Sequence, residues 1–143
     1  MISFRCYDPS AGGGGGIHGW YNGLRLQHQA EIDATLELLS LEDSLEGVAE
    51  IKPLRGACEG LTEIIIDFQL EETLVHIRII GFEGPSRNEF TLLTGFEKSK
   101  HNAVYGPYCR SAHERKKGVM RDGGRAPPCG FPAVQKPNRE VPR

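Results

Sequence analysis

No run of about 18 apolar residues occurs anywhere in the chain, so the sequence offers no membrane-spanning helix. The opening residues, Met1 through Cys6, lack the long apolar segment of a secretion signal, and a cytoplasmic location is the expectation. The four cysteines, Cys6, Cys58, Cys109 and Cys129, form no Cys-x-x-Cys pair, and the five histidines are as scattered. Cys109 and His113 would share a helix face, but zinc spacing is absent; neither a metal nor a small-molecule cofactor is expected, and the thiols are expected reduced. Five consecutive glycines, 12–16, are followed by no Lys-Ser or Lys-Thr at a helix start, which excludes a phosphate-cradling loop and leaves a flexible insertion.

What is present suits one soluble globular domain: 143 residues, 38% apolar and 25% charged. The net charge of −2 hides a segregation. Residues 1–97 carry 6 Lys and Arg against 16 Asp and Glu, a balance of −10, whereas residues 98–143 carry 11 against 3, a balance of +8. Either the basic end meets a polyanion or an acidic partner, or the two ends lie against each other in the fold.

Residues 61–70, 73–82 and 88–96 read as three successive strands, rich in the β-branched and aromatic residues that fit a pleated surface. Their connections are too short for a parallel crossover, so the three form an antiparallel meander. In the second run Val75, Ile77 and Ile79 alternate with His76, Arg78 and Ile80, which puts Arg78 on the face opposite the first set. Arg78 either serves a ligand there, or snorkels to solvent, or pairs with a Glu across the hairpin.

Around the meander, residues 1–7 alternate as an edge strand would. Leu24, Ile32, Leu36 and Leu39, with His28 between them, predict an amphipathic helix over 20–41, with a further helical turn before Gly47. Residues 48–60 hold Pro53, Gly56 and Gly60 and read as a connector. Tyr105, Tyr108, Ala112 and Val119 predict a second helix over 103–120, whose other face carries Arg110, Arg115, Lys116 and Lys117. The fold class expected is α+β: an antiparallel sheet of three to four strands packed with an N-terminal helix or helix pair and a C-terminal helix. One domain covers 1–125, and the Pro-rich, basic stretch 126–143 is expected to be a disordered tail.

Four segments carry a resemblance. Ile51-Lys52-Pro53-Leu54-Arg55-Gly56 is similar to a K-P-L-x-G connector, and Gly60-Leu61-Thr62-Glu63 to G-L-x-E-L-R, with Ile65 where that pattern has arginine. His76-Ile77-Arg78-Ile79-Ile80 is similar to Y-R-V-L-Y, and residues 92–99 to L-L-H-G-F-x-K-K. In this order and spacing, over residues 20–122, the chain resembles the RelE/HigB superfamily of bacterial toxins, in its phage-derived HigB-like branch.

The resemblance implies a compact RelE-like fold and the toxin of a type II toxin-antitoxin system. It also implies an endoribonuclease, or mRNA interferase, that cleaves message on the ribosome through attack by the ribose 2′-hydroxyl. Its partners would be a cognate antitoxin, mRNA and the ribosome, with no membrane. Arg78 matches the family's sheet arginine and would clamp the scissile phosphate. Lys98 matches the cation after the last strand, and Tyr105 a tyrosine of proton transfer or stacking. His101 is a chemically plausible acid or base because imidazole titrates near neutrality. Lys100, Arg110, Arg115 and Lys116 would contact RNA. Replacing Arg78 with Ala is then expected to abolish activity and leave folding intact. The alternative is a non-catalytic RelE-fold module that binds nucleic acid or protein through the basic helix.

Overall fold

A computed structural model describes residues 1–9, 15–98, 105–121 and 126–131. The elements run β1 (Ser3–Cys6), α1 (Gly16–Asn22), α2 (Leu26–Ser40), β2 (Ile51–Pro53), a 3-10 turn (Gly56–Cys58), β3 (Thr62–Leu70), β4 (Thr73–Glu83), β5 (Glu89–Glu97) and α3 (Gly106–Arg121). The class is α+β, with one five-stranded sheet in the order β1-β5-β4-β3-β2 and three helices among the described residues.

The meander stands where the alternation put it, as β3, β4 and β5. A two-residue turn, with Glu71 at φ 57°, sets Leu70 opposite Thr73. That register carries Glu63 to Ile80, Ile65 to Arg78 and Asp67 to His76. The sheet is nevertheless larger than three to four strands, and it is mixed. β1 takes the edge beside β5 in parallel, and the connector contributes β2, antiparallel to β3 at the other edge. Pro53 argued against a strand, yet a proline is tolerated on an edge, where its absent N–H faces no partner.

A helix pair is present, but the stretch 20–41, expected as one helix, is divided between its two members. Gly23 ends α1, and the Gln29 side-chain amide donates to the carbonyls of Tyr21 and Leu24, satisfying the helix end while Arg25 extends. His28, Ile32, Leu36 and Leu39 then form the buried stripe of α2. The turn expected before Gly47 is not helical: the Glu46 N–H is taken by the Ser44 hydroxyl, and Gly47 sits at φ 79°.

Both sheet faces are covered. Ile64, Ile66, Val75, Ile77 and Ile79 pack with Ile17, Tyr21, Ile32 and Leu36 beneath α1 and α2. Ile80, Phe82, Leu93 and Phe96 pack with Cys58, Cys109, Ala112 and Val119 beneath α3. Two glycines allow this closeness: a Cβ at Gly81 would strike the Thr91 carbonyl at the bulge between β4 and β5, and one at Gly95 would enter the Trp20 indole.

Residues 126–131 belong to the packed body rather than to a disordered tail. Phe131 is fully buried and stacks on Tyr21 with ring centroids 4.0 Å apart. Burying one such ring is worth about 1.5–3 kcal/mol before ordering costs. The Cys6 N–H donates to the Pro127 carbonyl, and Cys129 is bonded to Cys6. Residues 132–143 lie outside the described residues.

The expectation of reduced thiols is likewise replaced. All four cysteines are paired, Cys6 with Cys129 and Cys58 with Cys109, because the fold brings together segments 123 and 51 residues apart. Such bridges are uncommon in a reducing cytosol. Among the described residues no helix is long and apolar enough to cross a membrane.

Candidate functional site

On the α3 side of the sheet, beyond the end of the second core, the residues of β3 and β4 become mostly polar. Glu63, Ile65 and Asp67 alternate with the core residues Ile64 and Ile66, and across the register stand His76 and Arg78. Side chains of Ile65 and Arg78 are directly opposed, so Glu63 and Asp67 lie diagonally on either side of the arginine.

Arg78 is buried at 5% relative exposure, which corrects the picture of a cation displayed on an open sheet face. Its Nη1 donates to Asp67 Oδ1 at 2.7 Å and to the Ile77 carbonyl at 2.9 Å, while its Nε lies 3.8 Å from Glu63 Oε1. The pairing of Arg78 with a carboxylate across the hairpin is thus present. His76 Nδ1 reaches the same Asp67 oxygen at 2.9 Å. On the other side the Tyr105 hydroxyl donates to Glu63 Oε1 at 2.6 Å. The result is a chain of polar contacts, His76, Asp67, Arg78, Glu63, Tyr105, laid across three elements.

Two acidities respond to it. Burial alone would raise the Asp67 carboxyl, but hydrogen bonds and charge from Arg78 and His76 hold it below the ordinary carboxylate range. The Tyr105 phenol is pushed up to about 12 by burial, and then by its bond to the Glu63 carboxylate. A carboxyl depressed by folding contributes stability that is present above its unfolded pKa and lost as the pH falls through the folded one. Urea midpoints measured from pH 7 down to pH 2 should therefore decline, and Asp67→Asn should flatten the acid end of that decline. An unchanged acid slope in Asp67→Asn would show that the carboxylate is not held by the network.

A cavity of about 360 Å³ opens over Arg78. Its polar walls are Lys52 and Arg55 from β2 and the segment after it, Glu63, Arg78, Lys98 just beyond β5, and Tyr105 just before α3. Leu54, Cys58 and Ile65 supply apolar wall. Four cations face one carboxylate there, so the lining carries a net +3 within a chain of net −2. A recess of that sign favours an anion with several acceptor oxygens. The Cys58–Cys109 bridge ties the 3-10 turn to α3, and Phe96 lies edge-on to Tyr105 with centroids 5.4 Å apart, so the two walls are held to one another. The Lys98 N–H is fixed by the His76 carbonyl at 2.7 Å.

Compared with family models, curated proteins and solved structures, the chain matches none.

Three residues singled out in the sequence, Arg78, Lys98 and Tyr105, meet at this cavity. His101 and Lys100 lie outside the described residues. Arg110 is exposed on α3. Arg115 and Lys116 turn toward the protein instead. Arg115 Nη1 donates to the Leu93 carbonyl at 2.7 Å with its guanidinium over the Tyr7 ring, and Lys116 Nζ donates to the Gly60 carbonyl with its ammonium over Phe82. Both fasten α3 to the sheet. His113 Nε2 lies 3.0 Å from the Ala57 carbonyl, and no cluster of three metal-ligating side chains occurs among the described residues.

Lys52, Arg55 and Glu63 were not singled out from the sequence. For Glu63 a signal existed: once the turn sets Leu70 opposite Thr73, alternation alone places Glu63 on the Arg78 face. Lys52 and Arg55 gave none, since nothing local shows that their segment folds back over β3.

Proposed function

We propose that this chain is an RNA-cleaving toxin of RelE-like fold, acting on message held by the ribosome and restrained by a cognate antitoxin. The observation that carries the reading is the meeting of Arg78, Lys98 and Tyr105, drawn from three elements, in one cationic cavity that also holds a buried carboxylate.

Phosphodiester cleavage by the neighbouring 2′-hydroxyl asks little covalent chemistry of a protein. Lys52, Arg55 and Lys98 hold the phosphate and offset the charge that grows on its oxygens. The 2′-oxygen bonds to phosphorus as the bond from phosphorus to the 5′-oxygen breaks. The proton leaving the 2′-hydroxyl passes to Glu63, and the departing 5′-oxygen, a stronger base than a phenolate, takes a proton from Tyr105. Glu63 then returns its proton to Tyr105 along their hydrogen bond. The products are a 2′,3′-cyclic phosphate and a 5′-hydroxyl, with charge and protons balanced and no cofactor. Arg78 acts as the fixed centre, orienting Glu63 while Asp67 orients Arg78.

The experiment is addition of purified protein to a translation reaction, with the message mapped by primer extension. New ends bearing 5′-hydroxyls are expected. A second reading has one observation in its favour: the Arg78 guanidinium is already occupied by two carboxylates, as suits a module that grips RNA without cutting it. Intact message with salt-sensitive RNA binding would select that reading.

A further inference from the structure

Phe96 contacts two tyrosines of different environment. Tyr105 meets it edge-on, at 89°, and turns its hydroxyl to Glu63 in the cavity. Tyr108, three residues later at the start of α3, lies flat on it, with centroids 4.1 Å apart and planes 9° from parallel. One face of the Tyr108 ring is thus spent on Phe96, yet the residue is 37% exposed, so solvent reaches it away from that contact. Through Phe96 the Tyr108 ring stands within about 10 Å of the Tyr105 ring that lines the cavity.

We propose that the outward face of Tyr108 is a base-stacking platform, on which a nucleobase of single-stranded RNA adjoining the clamped phosphate is laid. This rests on the RNA reading of the cavity and adds a second subsite to it. A stacked ring backed by another ring is rigid in orientation, which removes the ordering cost that a free tyrosine would incur on binding. Each nucleobase offers a π face, so the platform contributes affinity without sequence choice. It also selects unpaired RNA, since a base must leave its duplex to lie there. The phosphate cavity supplies charge and the platform supplies registration, placing the backbone of the neighbouring nucleotide over Glu63 and Lys98.

The test is fluorescence anisotropy of the full chain with two labelled hexamers of 2′-O-methyl RNA, which cannot be cleaved by 2′-hydroxyl attack: one bearing all its bases, one abasic, both with the same phosphates. The base-bearing hexamer is expected to bind about tenfold tighter. Tyr108→Leu should erase that preference and leave the abasic affinity unchanged; Tyr108→Phe should keep it. Tyr108→Trp adds a readout independent of affinity, because its emission should be quenched by the base-bearing hexamer and not by the abasic one. Equal binding of the two hexamers by the parent protein, or a preference surviving in Tyr108→Leu, would overturn the platform while leaving the cationic cavity in place. Failure of both hexamers to bind would overturn the RNA reading, and the platform with it.

Discussion

Arg78→Ala is expected to lose about 3–5 kcal/mol of folding stability, the cost of stripping the partner from a buried charge. Among the described residues, Glu63, at 3% exposure, would keep the Tyr105 hydroxyl alone, and Asp67 His76 alone. The variant should therefore unfold at markedly lower urea, and its loss of activity would say little about chemistry. This reverses the expectation from the sequence that Arg78→Ala leaves folding intact. Arg78→Lys should fall between, since an ammonium retains the charge but cannot reach Asp67, Glu63 and the Ile77 carbonyl in the same fork. Arg78→Met with Glu63→Leu, which removes both buried charges, should recover much of the stability of the single variant. A parental urea midpoint in Arg78→Ala would mean that the network is looser than its distances indicate.

The second large effect belongs to the disulfides. In the chain-entropy account a bridge closing 123 residues stabilises by about 5 kcal/mol, and one closing 51 residues by about 4 kcal/mol. Dithiothreitol should lower the urea midpoint accordingly, in the parent and not in a variant with all four cysteines replaced by serine. The two bridges should also differ in consequence. Cys6→Ser with Cys129→Ser frees residues 126–131 and opens the seat of Phe131 beside Tyr21, in the core on the other face of the sheet from the cavity. Cys58→Ser with Cys109→Ser separates the two cavity walls, so RNA affinity should fall together with stability. Proteolysis after Phe131 or at Arg121, followed by mass spectrometry, distinguishes the first case from the second. A parent protein indifferent to reductant would contradict both.

Much of this was legible in the chain because short-range rules governed it. The strands at 62–70, 73–83 and 89–97 followed from alternation bounded by turn formers, and the turn at Glu71-Glu72 then fixed which residues face one another. What the sequence could not show was what covers a face. Alternation put Arg78 opposite the first core, but its burial depends on α3 and on the segment from Lys52 to Cys58, whose positions are set by tertiary packing. β2 was read as connector because Pro53 is a poor strand residue anywhere but at an edge, and edge position is a property of the whole sheet. Cysteine pairing was opaque for the same reason: Cys6 and Cys129 are adjacent only because β1 runs beside β5 and the chain end returns to it. Phe131, a lone aromatic among prolines and glycines, gave no periodic signal, yet it is an anchor.

At the candidate site the residues chosen by resemblance, Arg78, Lys98 and Tyr105, come together, whereas Arg115 and Lys116, chosen for charge on a helix face, are occupied in holding that helix. A run of cations on a helix does not say which of them are free. The distinction lies in whether a carbonyl or an aromatic ring is within reach, and that is a tertiary fact.

The most direct measurement is the rate of message cleavage in a translation reaction by the parent, by Lys98→Ala and by Lys117→Ala. Lys98 lines the cavity; Lys117 is exposed on α3 and pairs with Glu114 across one helical turn. Both variants should fold as the parent does, within about 0.5 kcal/mol. Lys98→Ala should slow cleavage about a hundredfold, as loss of a charge-stabilising donor does, and Lys117→Ala should leave it unchanged. Cleavage by Lys98→Ala at the parental rate, or a parent that leaves the message whole, would contradict the account.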